Sequence, residues 1–153
     1  MQIARAFTVL ASDGKRLPLN ILKQETPPKG VQVIAPEVIA KIRTMMKDVV
    51  STKGTARRAQ MEKYSAAGKT GTAHKLINGR YAEKRYTSAF AGFAPAEDPR
   101  LIMVVVVDDP RGEHYYGGRV AAPVFSRVMA ESLRLLNVPP DKIEMAARAA
   151  MKN

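Results

Sequence analysis

The chain opens on an amphipathic pattern. Ile3, Ala6, Phe7 and Leu10 recur at helical spacing in QIARAFTVLA and Gly14 supplies a stop, which predicts a helix over 2–11. From Lys15 to Gly30 the periodicity lapses into a connector with short extended pieces around Leu17–Leu22, ended by the breaker Thr26-Pro27-Pro28-Lys29-Gly30. Pro36 suits a first helical position, and Glu37 beside it complements the positive end of the helix dipole. Val38, Ile39, Ile42, Met45, Met46, Val49 and Val50 then mark a second helix over 36–50, with the methionine pair as core filler. Residues 51–67 are basic and irregular, with a short helix expected around 55–62.

After Gly68 the period changes. Residues 69–75 read as a short strand, Asn78-Gly79 as a turn, and Tyr86–Ala94 as a second strand closed by Pro95. LIMVVVV, 101–107, lacks alternation, which predicts a central strand buried on both faces and hairpinned with 86–94. A last helix is expected over Val120–Leu136, with Val124, Phe125, Val128, Leu133 and Leu136 facing the core and Pro123 tolerated in its first turn. Beyond Asn137–Pro140, residues 141–153 read as an Ala-rich helical or disordered tail. Two helices, three strands and a helix make an α+β layer: a three-stranded antiparallel sheet with helices packed on it.

Composition narrows the classes. The 153 residues, 46% hydrophobic and 25% charged, suit one domain with a modest core and exclude a disordered, collagenous or coiled-coil chain. No apolar run approaches the ~20 residues of a membrane span, and Met1–Arg5 does not lead into the apolar stretch of a signal peptide. Without cysteine there is no disulfide or thiolate nucleophile. Of the net +11, the segment 41–86 carries +9, from twelve basic and three acidic side chains. A basic face of this kind fits nucleic acid, an acidic polymer or an anionic substrate, and is also often only a solvated surface.

Few residues carry candidate chemistry. Gly68-Lys69-Thr70 is not a phosphate loop, because position 63, where its first glycine would stand, is lysine. His74 and His114 are isolated, without the spacing that builds a metal site, and read as surface residues. Lys69-Thr70-Gly71-Thr72-Ala73 is more informative. On a strand, Thr70 and Thr72 point to one face and offer two hydroxyls to one anion, while Lys69 supplies charge. Gly71 on an edge strand lets another backbone lie close, as in the docking of an extended peptide ending in a carboxylate.

Lys69-Thr70-Gly71 resembles the third active-site motif of penicillin-binding proteins and serine β-lactamases. MQIARAFTVLASDGKRLPL, APEVIAKIRTMMKDVVSTKGTARRA, YTSAFAGFAPAEDPRLIMVVVVDDP and YYGGRVAAPVFSRVM are similar, in order, to segments of class B enzymes of the septal D,D-transpeptidase (penicillin-binding protein 3) type. The resemblance covers roughly residues 1–140, taken as the C-terminal part of a transpeptidase domain with a partial β-lactamase/transpeptidase-like fold.

The resemblance implies a serine acyl-enzyme mechanism without metal or cofactor, acting on a peptidoglycan stem peptide or a β-lactam. It makes Lys69 and Thr72 catalytic, Lys69 in the proton path and the Thr72 N–H in the oxyanion hole. Thr70, Gly71 and Thr72 would bind the donor, and Tyr86, Tyr115 and Tyr116 the cleft rim; half-buried packing is the alternative for each tyrosine. Division proteins are implied as partners by the family alone, nucleic acid is not, and the intact family enzyme works periplasmically on the outer face of the cytoplasmic membrane.

Two departures bear on activity. No Ser-x-Asn occurs in the sequence, and its Ser-x-x-Lys, Ser12–Lys15, holds Gly14, which ends a helix instead of stacking the lysine beneath the serine. The chain is therefore expected to be inactive alone, a fragment lacking the nucleophile, signal, anchor and N-terminal part of the domain. Its 101–107 strand would then present a bare Val-rich edge, favouring dimerisation or poor solubility. A basic, non-catalytic module for nucleic acid or anionic polymer is the rival reading.

Overall fold

The first helix forms as read. In the computed structural model, which describes residues 1–142, α1 spans Gln2–Ala11. Gly14 follows at φ +90°, where its N–H reaches back to the Val9 carbonyl at 2.9 Å and ends the helix. The connector behaves differently from its pattern. Extended pairing falls on β1, Lys15–Arg16, against β2, Val31–Gln32, and not on Leu17–Leu22. Ile21 and Leu22 are exposed, so their apolarity marked no buried strand.

The second helix, α2, spans Pro36–Val50 with proline in its first turn. It buries Ile39, Met46 and Val50, while Val38 and Met45 face outward, so only one of the methionine pair fills the core. The short helix expected around 55–62 is a single 3₁₀ turn, Arg57–Ala59.

The sheet is antiparallel in the order β3-β4-β5, with β3 Ala67–Ile77, β4 Arg80–Ala94 and β5 Leu101–Asp108. Both members of the first hairpin are longer than 69–75 and 86–94 because the tight turn at Asn78 (φ +51°) and Gly79 (φ +76°) carries pairing to its ends. β5 is not central: among the described residues β4 is its only neighbour. Its lack of alternation reflects half-covered faces on both sides, which is independent of where a strand lies in its sheet.

Each face of the sheet has its own core. Ala67, Phe93 and Ile102 pack with Phe7 and Leu10 of α1 and Ile42 and Met46 of α2. Phe90, Ala94, Met103 and Val105 pack on the opposite side with the last helices, where Phe90 and Phe125 meet edge to face at 4.8 Å. The expected helix over 120–136 is two, α3 Gly117–Val120 and α4 Ala122–Leu135. Pro123 has no N–H to continue the ladder back to Arg119, and the helix breaks at Ala121. The buried row of α4 is Ala122, Phe125, Met129 and Leu133; Val124, Val128 and Leu136 are exposed, correcting their assignment to the core. The sequence expectation of a tail over 141–153 lies, from residue 143 onward, outside the described residues.

Candidate active site

Strand β3 leaves the core at Lys69. Ala67 and Gly68 are buried, while Lys69, Gly71 and Thr72 are exposed and Thr70 half-buried on an edge with β4 as its only neighbour among the described residues. The register pairs Thr70 with Phe90 and Thr72 with Ser88, both on the α3/α4 face. Lys69 pairs with Ala91 and Gly71 with Ala89, on the α1/α2 face. The two hydroxyls therefore share a face, as their spacing requires, and the lysine stem leaves on the other. Lys69 Nζ curls back to donate to the Thr70 carbonyl at 3.0 Å.

The hydroxyls open on a hollow of about 330 Å³ completed by Thr55, Tyr116 and the N-terminal turn of α3. Thr55 Oγ1 lies 3.4 Å from Thr70 Oγ1, and the Gly117 N–H donates to Thr72 Oγ1 at 3.1 Å. That bond occupies an acceptor site on Thr72 and leaves its own proton free to donate to an anion. Among the described residues Arg119 is the one charged side chain lining the hollow, and no carboxylate opposes it there.

The close approach of α3 depends on its glycines. A Cβ on Gly117 would lie 2.6 Å from the Gly71 carbonyl oxygen, and one on Gly118 would press on the Thr55 carbonyl, 3.1 Å from its carbon. Thr55, Gly117, Gly118 and Arg119 were not picked out as site residues by sequence reasoning. The Gly-Gly pair ahead of a helix and the Gly54-Thr55 turn were the available signals.

The tyrosines stack on one another. His74, Tyr86, Tyr115 and Tyr116 form a run of rings with centroids 4.6, 4.0 and 4.4 Å apart in succession. Tyr116 lines the hollow; Tyr86 and Tyr115 stand behind it, half-buried against each other. The Tyr115 and Tyr116 hydroxyls are hydrogen-bonded to each other at 3.0 Å, and this bond holds the Tyr116 phenol above its ordinary range.

The loop carrying Tyr115 and Tyr116 is tied down at both ends. Ser88 Oγ donates to the Tyr115 carbonyl, the Asp109 N–H donates to the Tyr86 carbonyl at 2.8 Å, and Arg85 forks onto Asp109 with a closest approach of 2.7 Å. The Arg85 hydrogen bonds hold the Asp109 carboxyl below the usual range, and a bond from Lys75 does the same for Asp108. Elsewhere, Ser12 is committed to carbonyls: its hydroxyl bonds to those of Thr8 and Lys15, the latter at 2.7 Å, and Lys15 lies in β1. Ser12 and Lys15 therefore do not form the stacked pair a nucleophile needs. Among the described residues no cluster of His, Asp or Glu side chains could hold a metal ion.

Comparison with known proteins agrees with this architecture. The family profile described as "Penicillin binding protein transpeptidase domain" matches residues 1–130. The chain is 45% identical over 142 residues to the probable peptidoglycan D,D-transpeptidase PenA of Neisseria flavescens, covering 93% of this chain and 36% of that protein. It is 40% identical over 144 residues to the peptidoglycan D,D-transpeptidase FtsI of Escherichia coli K12, covering 94% of this chain and 24% of that one. Among solved structures, the apo transpeptidase domain of Burkholderia pseudomallei penicillin-binding protein 3 superposes with a TM-score of 0.83 at 42% identity, over 91% of this chain and 43% of that chain. The chain thus spans about a quarter to a third of the two curated relatives' length. With the matched profile covering most of its length, it belongs to the penicillin-binding protein transpeptidase domain family.

Proposed function

We propose that residues 1–140 are the C-terminal part of a transpeptidase domain and supply the substrate-docking wall of a peptidoglycan D,D-transpeptidase. One observation carries this reading: two hydroxyls, Thr70 and Thr72, on one face of an exposed edge strand, opening on a hollow whose only charged lining group among the described residues is Arg119. An extended peptide lying along β3 places its terminal carboxylate there. The substrates are a D-alanyl-D-alanine stem peptide and, as its mimic, a β-lactam.

On this reading a serine outside these 153 residues attacks the penultimate carbonyl. The terminal D-alanine leaves with a proton, and the acyl group passes to an amine on a neighbouring strand. Lys69 assists the proton path, the Thr72 N–H is one oxyanion donor, and Thr70, Gly71 and Thr72 hold the donor. The aromatic run ending at Tyr116 forms the rim, with Tyr86 and Tyr115 supporting it from behind. The partners are the remaining part of the same domain and, by family, the division machinery. The place of work is the outer, periplasmic face of the cytoplasmic membrane.

The test is to sequence the DNA upstream of the Met1 codon in frame, then express the longer product and label it with a fluorescent penicillin. The expected frame carries Ser-x-x-Lys followed by Ser-x-Asn. Lys69→Ala should slow acylation by about 10²-fold or more, the usual scale for losing a positioned acid or base. A frame without those motifs, or labelling indifferent to Lys69 and Thr72, overturns the reading; the 153-residue chain alone should give no covalent adduct.

A further inference from the structure

Ser88 has no exposed surface, the only polar residue so enclosed among the described residues. A buried hydroxyl is costly unless it is hydrogen-bonded, and this one spends its proton on the Tyr115 carbonyl. That bond ties β4 to the loop ahead of α3. The proposed mechanism gives Ser88 no part, because it lies beneath the hollow and does not line it.

The same two segments are joined a second time. Thr72, directly opposite Ser88 in the β3–β4 register, accepts from the Gly117 N–H at 3.1 Å. Only Tyr116 separates the carbonyl held by Ser88 from the N–H that meets Thr72. Peptide groups are planar, so the Tyr116 dihedrals, φ −70° and ψ 135°, fix the one relative to the other. Ser88, Tyr115, Gly117 and Thr72 therefore close a ring: two hydrogen bonds, one strand pairing and one residue of chain. The ring has little slack. A Cβ on Gly117 would lie 2.2 Å from the Ala89 carbonyl oxygen and 2.6 Å from that of Gly71, so the turn rests on both strands. While the Gly117 N–H occupies one lone pair of Thr72 Oγ1, the hydroxyl proton cannot point that way and is left for the hollow.

We propose that Ser88 is a positioning residue for the ligand carboxylate. By holding the Tyr115 carbonyl it sets the Gly117 N–H against Thr72, and so keeps the Thr72 hydroxyl presented as a donor. Ser88 acts through Thr72 and touches no ligand itself. The inference rests on the transpeptidase reading and deepens it.

The test has two readouts. In the 153-residue chain, Ser88→Ala should speed amide hydrogen exchange at Gly117 about tenfold, with the Phe90 and Gly92 amides of β4 changed far less. In the longer product carrying the nucleophile, saturation kinetics with a fluorescent penicillin separate binding from the limiting acylation rate. Ser88→Ala should weaken binding about three- to tenfold and leave the limiting rate within about twofold. In a Thr72→Val background it should add nothing to either readout, an outcome that general destabilisation cannot produce. Should Ser88→Ala fail to fold, Ser88→Cys keeps a weaker donor and should show the same changes at smaller size. Parent-like Gly117 exchange, equal acceleration at all three amides, or a Ser88 effect undiminished beside Thr72→Val overturns the inference alone. No labelling, or labelling indifferent to Thr72→Val in the Ser88 parent, overturns the transpeptidase reading and the inference with it.

Discussion

Replacing Gly118 with alanine sets two effects of opposite sign against each other. Inside a helix, alanine is favoured over glycine by about 0.5–1 kcal/mol. Against that, the new Cβ would lie closer than 3.0 Å to the Thr55 carbonyl oxygen, 3.1 Å from its carbon and 3.4 Å from Thr70 Cγ2. The obstacle is backbone, which cannot swing aside like a side-chain end, so α3 or the 54–56 turn must shift. With a backbone oxygen in the way, the cost falls at the upper end of overpacking, about 2–3 kcal/mol, leaving a net destabilisation of about 1–2 kcal/mol. At about 2–4 °C per kcal/mol for a chain of this size, Tm should fall by about 2–8 °C. Gly71→Ala is the matched control, since its Cβ would meet only Ala89 Cβ at an ordinary 3.7 Å. That variant should melt at or slightly above the parent, yet bind a D-alanyl-D-alanine peptide more weakly. The assay is a pair of thermal melts followed by circular dichroism at 222 nm. A Gly118→Ala chain melting at or above the parent would show that α3 is not seated on Thr55, and the description of the hollow would fall with it.

The other predictions concern the core, the open edge and acid sensitivity. Phe125→Ala should cost about 3–5 kcal/mol in urea unfolding, and Val124→Ala less than about 1 kcal/mol; equal losses would mean the buried face of α4 is misplaced. Val106, exposed on β5, an edge strand among the described residues, should favour self-association, so Val106→Lys should shift sedimentation toward monomer; an unaltered distribution counts against that edge. The Arg85 bonds lower the folded-state pKa of Asp109, so their stabilisation is present above the unfolded value of about 4 and is lost as pH falls through the folded one. Asp109→Asn, which tolerates the native φ of +52°, should therefore lose its disadvantage as pH drops from 6 toward 3; a constant gap refutes the ion pair's role.

How legible these features were depended on what decided them. The spacing of Ile39, Ile42, Met46 and Val50 gave α2 to the residue, because period and a proline start agreed there. Val124 and Val128 misled because α4 carries two apolar rows, and only tertiary contact with Phe90 selects the row containing Phe125. The run 101–107 overstated how far its faces are covered, since none of its residues is fully buried and Val106 is exposed, and it was silent on its edges, since hydrogen-bond partners leave no mark on side-chain polarity. At the site, Thr70 and Thr72 were readable because a two-residue period follows from the strand itself. Thr55 and Arg119 were not, because chain segments far apart in sequence bring them to the same hollow.

Alternation also explains why such a motif belongs on an edge. No strand can aim Lys69, Thr70 and Thr72 to one side, and here the lysine leaves on the α1/α2 face while the hydroxyls leave on the α3/α4 face. A ligand reaching both must lie along the strand's edge, in the plane of the sheet, with the two faces to either side of it. In a central strand that line is already filled by a neighbour's backbone. On the proposed reading, the exposed edge of β3, a hazard in most sheets, is thus the condition for bringing charge and hydroxyls to one peptide. Gly71 sits between them where a bulky side chain would crowd that approach. On the proposed reading, the part of the enzyme that carries the nucleophile closes over this same edge of β3.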